Sequence, residues 1–167
     1  MSLSNNKYQV EFDNAIEKFG DMVYRICVTI TGNTEDAKDA FQDTFLRLVK
    51  HHHEITSEEH LKAWLIRVAG NCAKTTVTNP WNKRTQGFQP EQGQEPVYEQ
   101  EENHLLAELQ SLPENYALVL YLFYYEGYSI KEIAKLLDKK ENSVKTLLDR
   151  GRKLLKKKLE EGGEGHE

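Results

Sequence analysis

Cysteine is scarce in this chain. Its 167 residues include two, Cys27 and Cys72, far apart and each set in an apolar pattern. So few thiols exclude a disulfide framework and argue against a thiolate metal site. Long apolar runs are also missing: no segment approaches the ~18–20 residues of a membrane span, and the N-terminus has no signal-peptide core. The expectation is a soluble, cytoplasmic protein with reduced core thiols and no membrane insertion. Hydrophobic residues make up 38%, little for one globule, and better suited to small helical domains joined by a polar linker. No nucleotide-binding glycine loop, metal cluster or Ser/His/Asp arrangement stands out, so neither an enzyme nor a cofactor is expected. The adjacent His51, His52 and His53 diverge around a helix end and make a poor chelating set. Alternation with period two is absent too. Apolar residues recur at three and four, which predicts an all-α fold.

What is present falls into three regions. Residues 5–78 and 104–160 have helical period. Residues 79–103 hold three of the four prolines, two glycines and many Gln and Glu, the composition of a flexible linker. The first region predicts four helices. One runs from Glu11 to Phe19 and a second from Asp21 to Thr31, stopped by Gly32. A third is capped by Thr34, with Glu35 and Asp36 favouring its positive end. A fourth is opened by a Thr56/Glu59 capping box. The third buries Ala37, Ala40, Phe41, Thr44, Phe45, Leu48 and Val49, and the fourth Leu61, Trp64, Leu65, Val68, Ala69 and Cys72. Two polar faces are left pointing outward: Asp39, Gln42 and Asp43 on the third helix, and Arg67, Asn71 and Lys74 on the fourth.

The last region opens at Ser111 and Pro113, with Pro at the first helical position. Leu112, Tyr116, Val119, Leu120, Phe123 and Tyr124 supply the apolar side, and Gly127 ends the helix. A Ser129/Glu132 capping box starts a short helix. A turn at residues 138–140 leads to a last helix from Glu141 or Asn142. The chain as a whole carries net charge −5, yet residues 139–158 hold nine Lys and Arg against Glu141 and Asp149, a local +7. An acidic protein that concentrates positive charge on one helix is built to meet a polyanion there. Capped helix, turn and basic helix match a helix-turn-helix, whose second helix presents its N-terminal residues to the DNA major groove. That assigns base edges to Lys140, Asn142, Ser143, Lys145 and Thr146, and phosphates to Lys139, Arg150, Arg152 and Lys153.

These residues resemble a known family, the extracytoplasmic-function (ECF) sigma factors of the bacterial sigma-70 family. TGNTEDAKDAFQDTFLRLVK and LKAWLIRVAGN are similar to sigma region 2, and LQSLPENYALVLYLFYYEGYSIKEIAKLLDKKENSVKTLLDRGRKLLKKKL to region 4. The resemblance implies a region 2-like four-helix domain and a region 4-like helix-turn-helix domain. It implies that Asp39, Gln42 and Asp43 dock on the β′ clamp helices of core RNA polymerase, with the β flap as a further contact. Trp64, Arg67, Asn71 and Lys74, with Lys83 and Arg84 in the following loop, would capture the melted −10 element, and the last helix the −35 element as duplex. An anti-sigma factor is an implied partner. Four positions depart from the family's pattern: Gly70 and Ala117 where Arg is common, Thr75 where an acidic residue is common, and Leu147 where Arg is common.

The reading is therefore a sigma factor that binds core polymerase and promoter DNA. The alternatives are a helix-turn-helix regulator that works without polymerase, or a helical protein-interaction adaptor.

Overall fold

The computed structural model describes residues 8–78 and 107–165. Among them every regular element is helical. Helix α1 spans Phe12–Thr31 and buries Phe19, Met22, Val23, Ile26 and Cys27. It is one helix where two were expected. Gly20, which falls between the two expected helices, lies buried in its middle, with the Phe41 ring alongside. A mid-helix glycine costs about 1 kcal/mol, and the apolar residues buried on both sides of it outweigh that. The first unit accordingly has three α-helices, not four. The stop at Gly32 is as expected: its φ is 80° and its N–H bonds the Val28 carbonyl at 2.8 Å.

Helix α2 spans Thr34–His51. Asn33, not Thr34, is its cap: Asn33 is extended, and its Oδ1 accepts from the Asp36 N–H at 2.8 Å. Its Nδ2 also donates to Asp36 Oδ2 at 2.9 Å. The 3-10 turn His52–Glu54 leads to α3, Glu58–Thr78. Here too the cap shifts by one residue, since Ser57 Oγ accepts from the His60 N–H at 3.0 Å. Thr56 bonds instead to the His60 ring. The three helices pack mutually.

After a helical turn over 107–110, α4 covers Glu114–Leu120. Pro113 is its N-cap, one position earlier than expected. The helix then widens into a π turn over Tyr121–Tyr125, closed by Glu126 N–H to the Tyr121 carbonyl at 3.2 Å. Gly127 follows with φ 78°. Helix α5, Ile130–Leu137, carries both bonds of the Ser129/Glu132 capping box and ends at Asp138 in the left-handed region. Helix α6 spans Glu141–Gly165 and packs on α4 and α5. Its close fit on α4 depends on Gly151, where a Cβ would stand 3.0 Å from Leu120 Cδ1.

The two units do not stand apart. Helix α1 packs on α4, and α3 on α5. Buried residues of both units, from Ile26 and Leu65 to Tyr121 and Leu148, join one continuous core. The expected 79–103 linker lies outside the described residues.

Candidate nucleic-acid and polymerase interfaces

The acidic face stands on α2. Asp39 and Gln42 are exposed, and Asp43 is half-buried. Burial, then the charges of Asp36 and Glu35, raise the Asp39 carboxyl above the usual carboxylate value. Asp43 takes the Arg47 guanidinium, Nε to Oδ2 at 3.3 Å, and also faces the Cys72 thiol. That thiol is pushed up to about 11, mainly by burial, and Cys27 is raised further by the same cause. Both cysteines are free, buried thiols, as expected.

Beside these carboxylates the structure adds an apolar feature missed in the sequence. A groove of about 820 Å³ runs between α1 and α2, with Asp21, Asp39 and Gln42 among its lining residues. Ile16, Leu46 and Val49 line it at 42%, 58% and 54% exposure. Val49, expected in the core stripe, is exposed. It lies at the stripe's far edge, where α1 does not cover it. Leu46, three residues beyond Asp43 on the same helix, was the available signal: a large apolar residue continuing a polar face. With Asp21 and Asp39 against the single cation Lys38 on its rim, the apolar trough can seat a helix that is apolar on one side and basic at its flanks.

On α3, Asn71 is exposed, and Trp64 and Lys74 are half-buried. Trp64 packs against the core, its ring 6.3 Å from that of His51. Arg67 does not point outward as expected. Its Nη1 donates to the Leu136 carbonyl at 3.2 Å, across the junction of the two units. The cause is the covering of this part of α3 by α5, which spacing within α3 cannot reveal. Lys83 and Arg84 lie outside the described residues.

At the start of α6, Lys139, Lys140, Asn142, Ser143, Lys145 and Thr146 are all exposed, as a reading helix requires. Arg150 and Lys153 are exposed as well. Arg152 is engaged elsewhere: its Nε donates to the Tyr124 hydroxyl at 2.8 Å, and its guanidinium lies over the Phe123 and Tyr124 rings. Tyr124, assigned to the apolar side of α4, is 51% exposed. It rests beneath Arg152 rather than in the core. Of the four departures from the family pattern, Gly70 and Ala117 are buried, Thr75 is exposed, and Leu147 is half-buried against the core.

A three-helix unit followed by a helix-turn-helix with a basic reading helix is the architecture of sigma-70-type transcription factors. Residues 15–82 match the family described as Sigma-70 region 2, and residues 103–155 match Sigma-70, region 4. The chain is 30% identical over 152 residues to the ECF RNA polymerase sigma factor SigM of Bacillus subtilis (strain 168), covering 86% of this chain and 92% of that one. To SigW of the same organism, also an ECF RNA polymerase sigma factor, it is 26% identical over 170 residues, covering 90% of each. Among solved structures, the sigma factor RpoE, crystallised with the anti-sigma factor NepR from Bartonella quintana, superposes with a TM-score of 0.67. That match has 17% identity and covers 89% of this chain and 96% of that one, a likeness of fold. The chain belongs to the ECF RNA polymerase sigma factors of the sigma-70 family. Nothing in these comparisons supports a polymerase-independent regulator or an adaptor.

Proposed function

We propose that this sigma factor docks on core RNA polymerase through Asp39, Gln42, Asp43 and the groove beside them. In this reading Trp64, Arg67, Asn71 and Lys74, with Lys83 and Arg84, hold the melted −10 strand, and the first turns of α6 read the −35 duplex. The observation that carries the reading is the separation of charge on one chain. An acidic, apolar-floored face on α2 suits a basic amphipathic helix pair, and the exposed Lys and Asn side chains at the start of α6 suit a major groove. Asn can pair bidentately with adenine and Lys can donate to guanine. Arg150 and Lys153 supply phosphate contacts, which position without reading. Arg152 has its Nε committed to the Tyr124 hydroxyl, which leaves its terminal N–H groups for phosphate.

The domain limits follow the same division: residues 5–78 for polymerase and −10 contacts, 79–103 as linker, and 104–160 for the −35 element. The protein acts as an initiation factor in the cytoplasm, and the polymerase performs the chemistry. No helix among the described residues is long and apolar enough to cross a membrane. Its solved neighbour was crystallised with an anti-sigma factor, and we assign an anti-sigma partner to this chain as well.

Run-off transcription with core polymerase and a library of genomic fragments tests the function. Specific start sites that depend on the protein are expected. No initiation on any fragment, together with no binding to core, would refute the reading.

A further inference from the structure

Helix α4 ends in a π turn over Tyr121–Tyr125, and π turns often mark functional positions. Leu120, just before it, faces α6, where it would stand 3.0 Å from a Cβ at Gly151. Tyr124 follows Leu120 by about one turn of the wider winding and continues along the side toward α6. It lies past the close contact, at 51% exposure. There its hydroxyl accepts from Arg152 Nε at 2.8 Å. The Arg152 guanidinium carbon lies 5.7 Å from the Phe123 ring centre and 5.9 Å from that of Tyr124. The two rings meet edge to face at 4.9 Å. Two aromatic rings and one hydrogen bond thus fix the guanidinium. An arginine side chain otherwise keeps much rotamer freedom, and fixing it in advance lowers the cost of ordering it on a ligand.

The pair stands beside the reading turn. A cavity of about 400 Å³ between α5 and α6 is lined by Ile130, Lys145, Thr146, Leu148, Asp149 and Arg152. Lys145 and Arg152 are about two turns apart on one side of α6. Two cations meet one carboxylate there, Asp149, so the cavity favours an anion. A helix with its side chains is about 10–12 Å across, and the major groove is about 12 Å wide. A helix seated by its first turns therefore fills the groove, and side chains on its flank meet the phosphate wall rather than base edges. Tyr124 takes only the Nε–H of Arg152, so both terminal nitrogens are left for a bidentate bond. The phenol accepts through its oxygen and keeps its own proton to donate.

We infer that Tyr124 and Arg152 act together as a clamp on one backbone phosphate of the −35 duplex. Arg152 supplies a bidentate bond from Nη1 and Nη2, and the Tyr124 hydroxyl donates a third. Tyr124 is also the positioning residue that aims the guanidinium. The inference rests on the proposed −35 role of α6, and adds to it a contact from α4, outside the two helices that read the bases. A phosphate carries no sequence information, so the clamp sets the register and angle of α6 and is equally strong on every −35 sequence.

The full chain, with a short duplex that it selects from a randomised pool, tests this. Each phosphate of that duplex is replaced in turn by an uncharged methylphosphonate, and affinity is read by fluorescence anisotropy. Three variants are compared with the parent, and thermal circular dichroism follows their fold. Tyr124→Phe keeps the ring and loses only the hydroxyl. Arg152→Lys keeps the charge and loses the fork. Arg152→Ala loses both. Tyr124→Phe should weaken binding about 3- to 10-fold, and Arg152→Ala about 10-fold or more, by the same factor on all base variants of the duplex. Arg152→Lys should lose about as much as Tyr124→Phe. Neutralising one particular phosphate should cost the parent affinity, cost Tyr124→Phe less and cost Arg152→Ala nothing, while the other phosphates cost all three alike. A role confined to folding cannot produce that coupling. Unchanged affinity in Tyr124→Phe, whatever its Tm, would make the pair a brace between α4 and α6 and overturn the clamp. Full affinity in Arg152→Lys, a loss confined to particular bases, or equal sensitivity of the parent, Tyr124→Phe and Arg152→Ala at every phosphate would overturn it too. A parent that retains no duplex from the pool refutes the −35 reading itself and the clamp with it; the other outcomes leave that reading standing.

Discussion

Charge reversal of the α2 face, Asp39→Arg with Asp43→Arg, separates docking from folding. The structure predicts that the fold tolerates it. Asp39 is exposed, and its carboxylate is held at a cost beside Asp36 and Glu35. An arginine at 39 lies four residues after Glu35, a favourable helical pair. An arginine at 43 gives up the exposed ion pair with Arg47 and becomes a like-charge neighbour of it. Each of these terms is worth about 0.2–0.5 kcal/mol. They have opposite signs, so net stability should move by less than about 1 kcal/mol, or roughly 2–4 °C in Tm. Docking should respond far more. Two charge-assisted contacts at about 1.5 kcal/mol each, the low end for exposed groups, amount to roughly 100-fold in affinity, and repulsion from a basic partner adds to it. Fluorescence anisotropy of labelled protein titrated with core polymerase measures the loss, and thermal circular dichroism measures the fold. An affinity within about threefold of the parent, with Tm unchanged, would remove this face from the docking surface.

The single variant Asp39→Asn tests the electrostatics of the same position. The folded carboxyl titrates above its unfolded value, so the stability it lends is fully present below the unfolded pKa and is lost as pH rises through the folded pKa. Asn has no such loss, and urea titrations should show Asp39→Asn gaining on the parent between acid and neutral pH; a difference independent of pH would refute the assignment. At the reading helix, Lys145→Ala should cost about 1–3 kcal/mol at one base position of the −35 element if Lys145 reads a base. If it touches phosphate instead, binding weakens on all sequences and the salt slope falls by about 1, and an electrophoretic mobility series over −35 variants and salt concentrations tells the two apart. In the core, Gly20→Ala should stabilise the protein by up to about 1 kcal/mol, because the new Cβ meets Ile16 at 3.7 Å and Phe41 at 3.9 Å, ordinary contact distances. A lower Tm would show that the space beside Phe41 is tighter than these distances say.

Sequence and structure agree most closely where a signal is local. The Ser129/Glu132 capping box needs only its own four residues to close, and both of its bonds are present. The left-handed stop at Gly32 and the start of α6 at Glu141 are of the same kind. Disagreement begins where a second element decides. Gly20 has the marks of a helix breaker, yet partners on both sides hold α1 through it. Val49 continues an apolar stripe, yet nothing covers it, and with Leu46 it becomes groove wall. Arg67 and Arg152 sit at positions that count as outward on their own helices, and each is taken up by a neighbouring element, a carbonyl at the end of α5 and the hydroxyl of Tyr124.

The sequence alone determined the helical class, the acidic face on α2, the basic reading helix and the family, because periodicity, capping and charge are written in residues close together along the chain. Tertiary structure alone decided which of the marked residues are free to bind. Whether α4 lies on Gly70, whether Glu126 collects two cations from the other unit, and whether Arg67 faces solvent or a carbonyl all depend on pairs of residues far apart in sequence. Only packing brings such pairs together, and no period or motif on one helix records what will cover it.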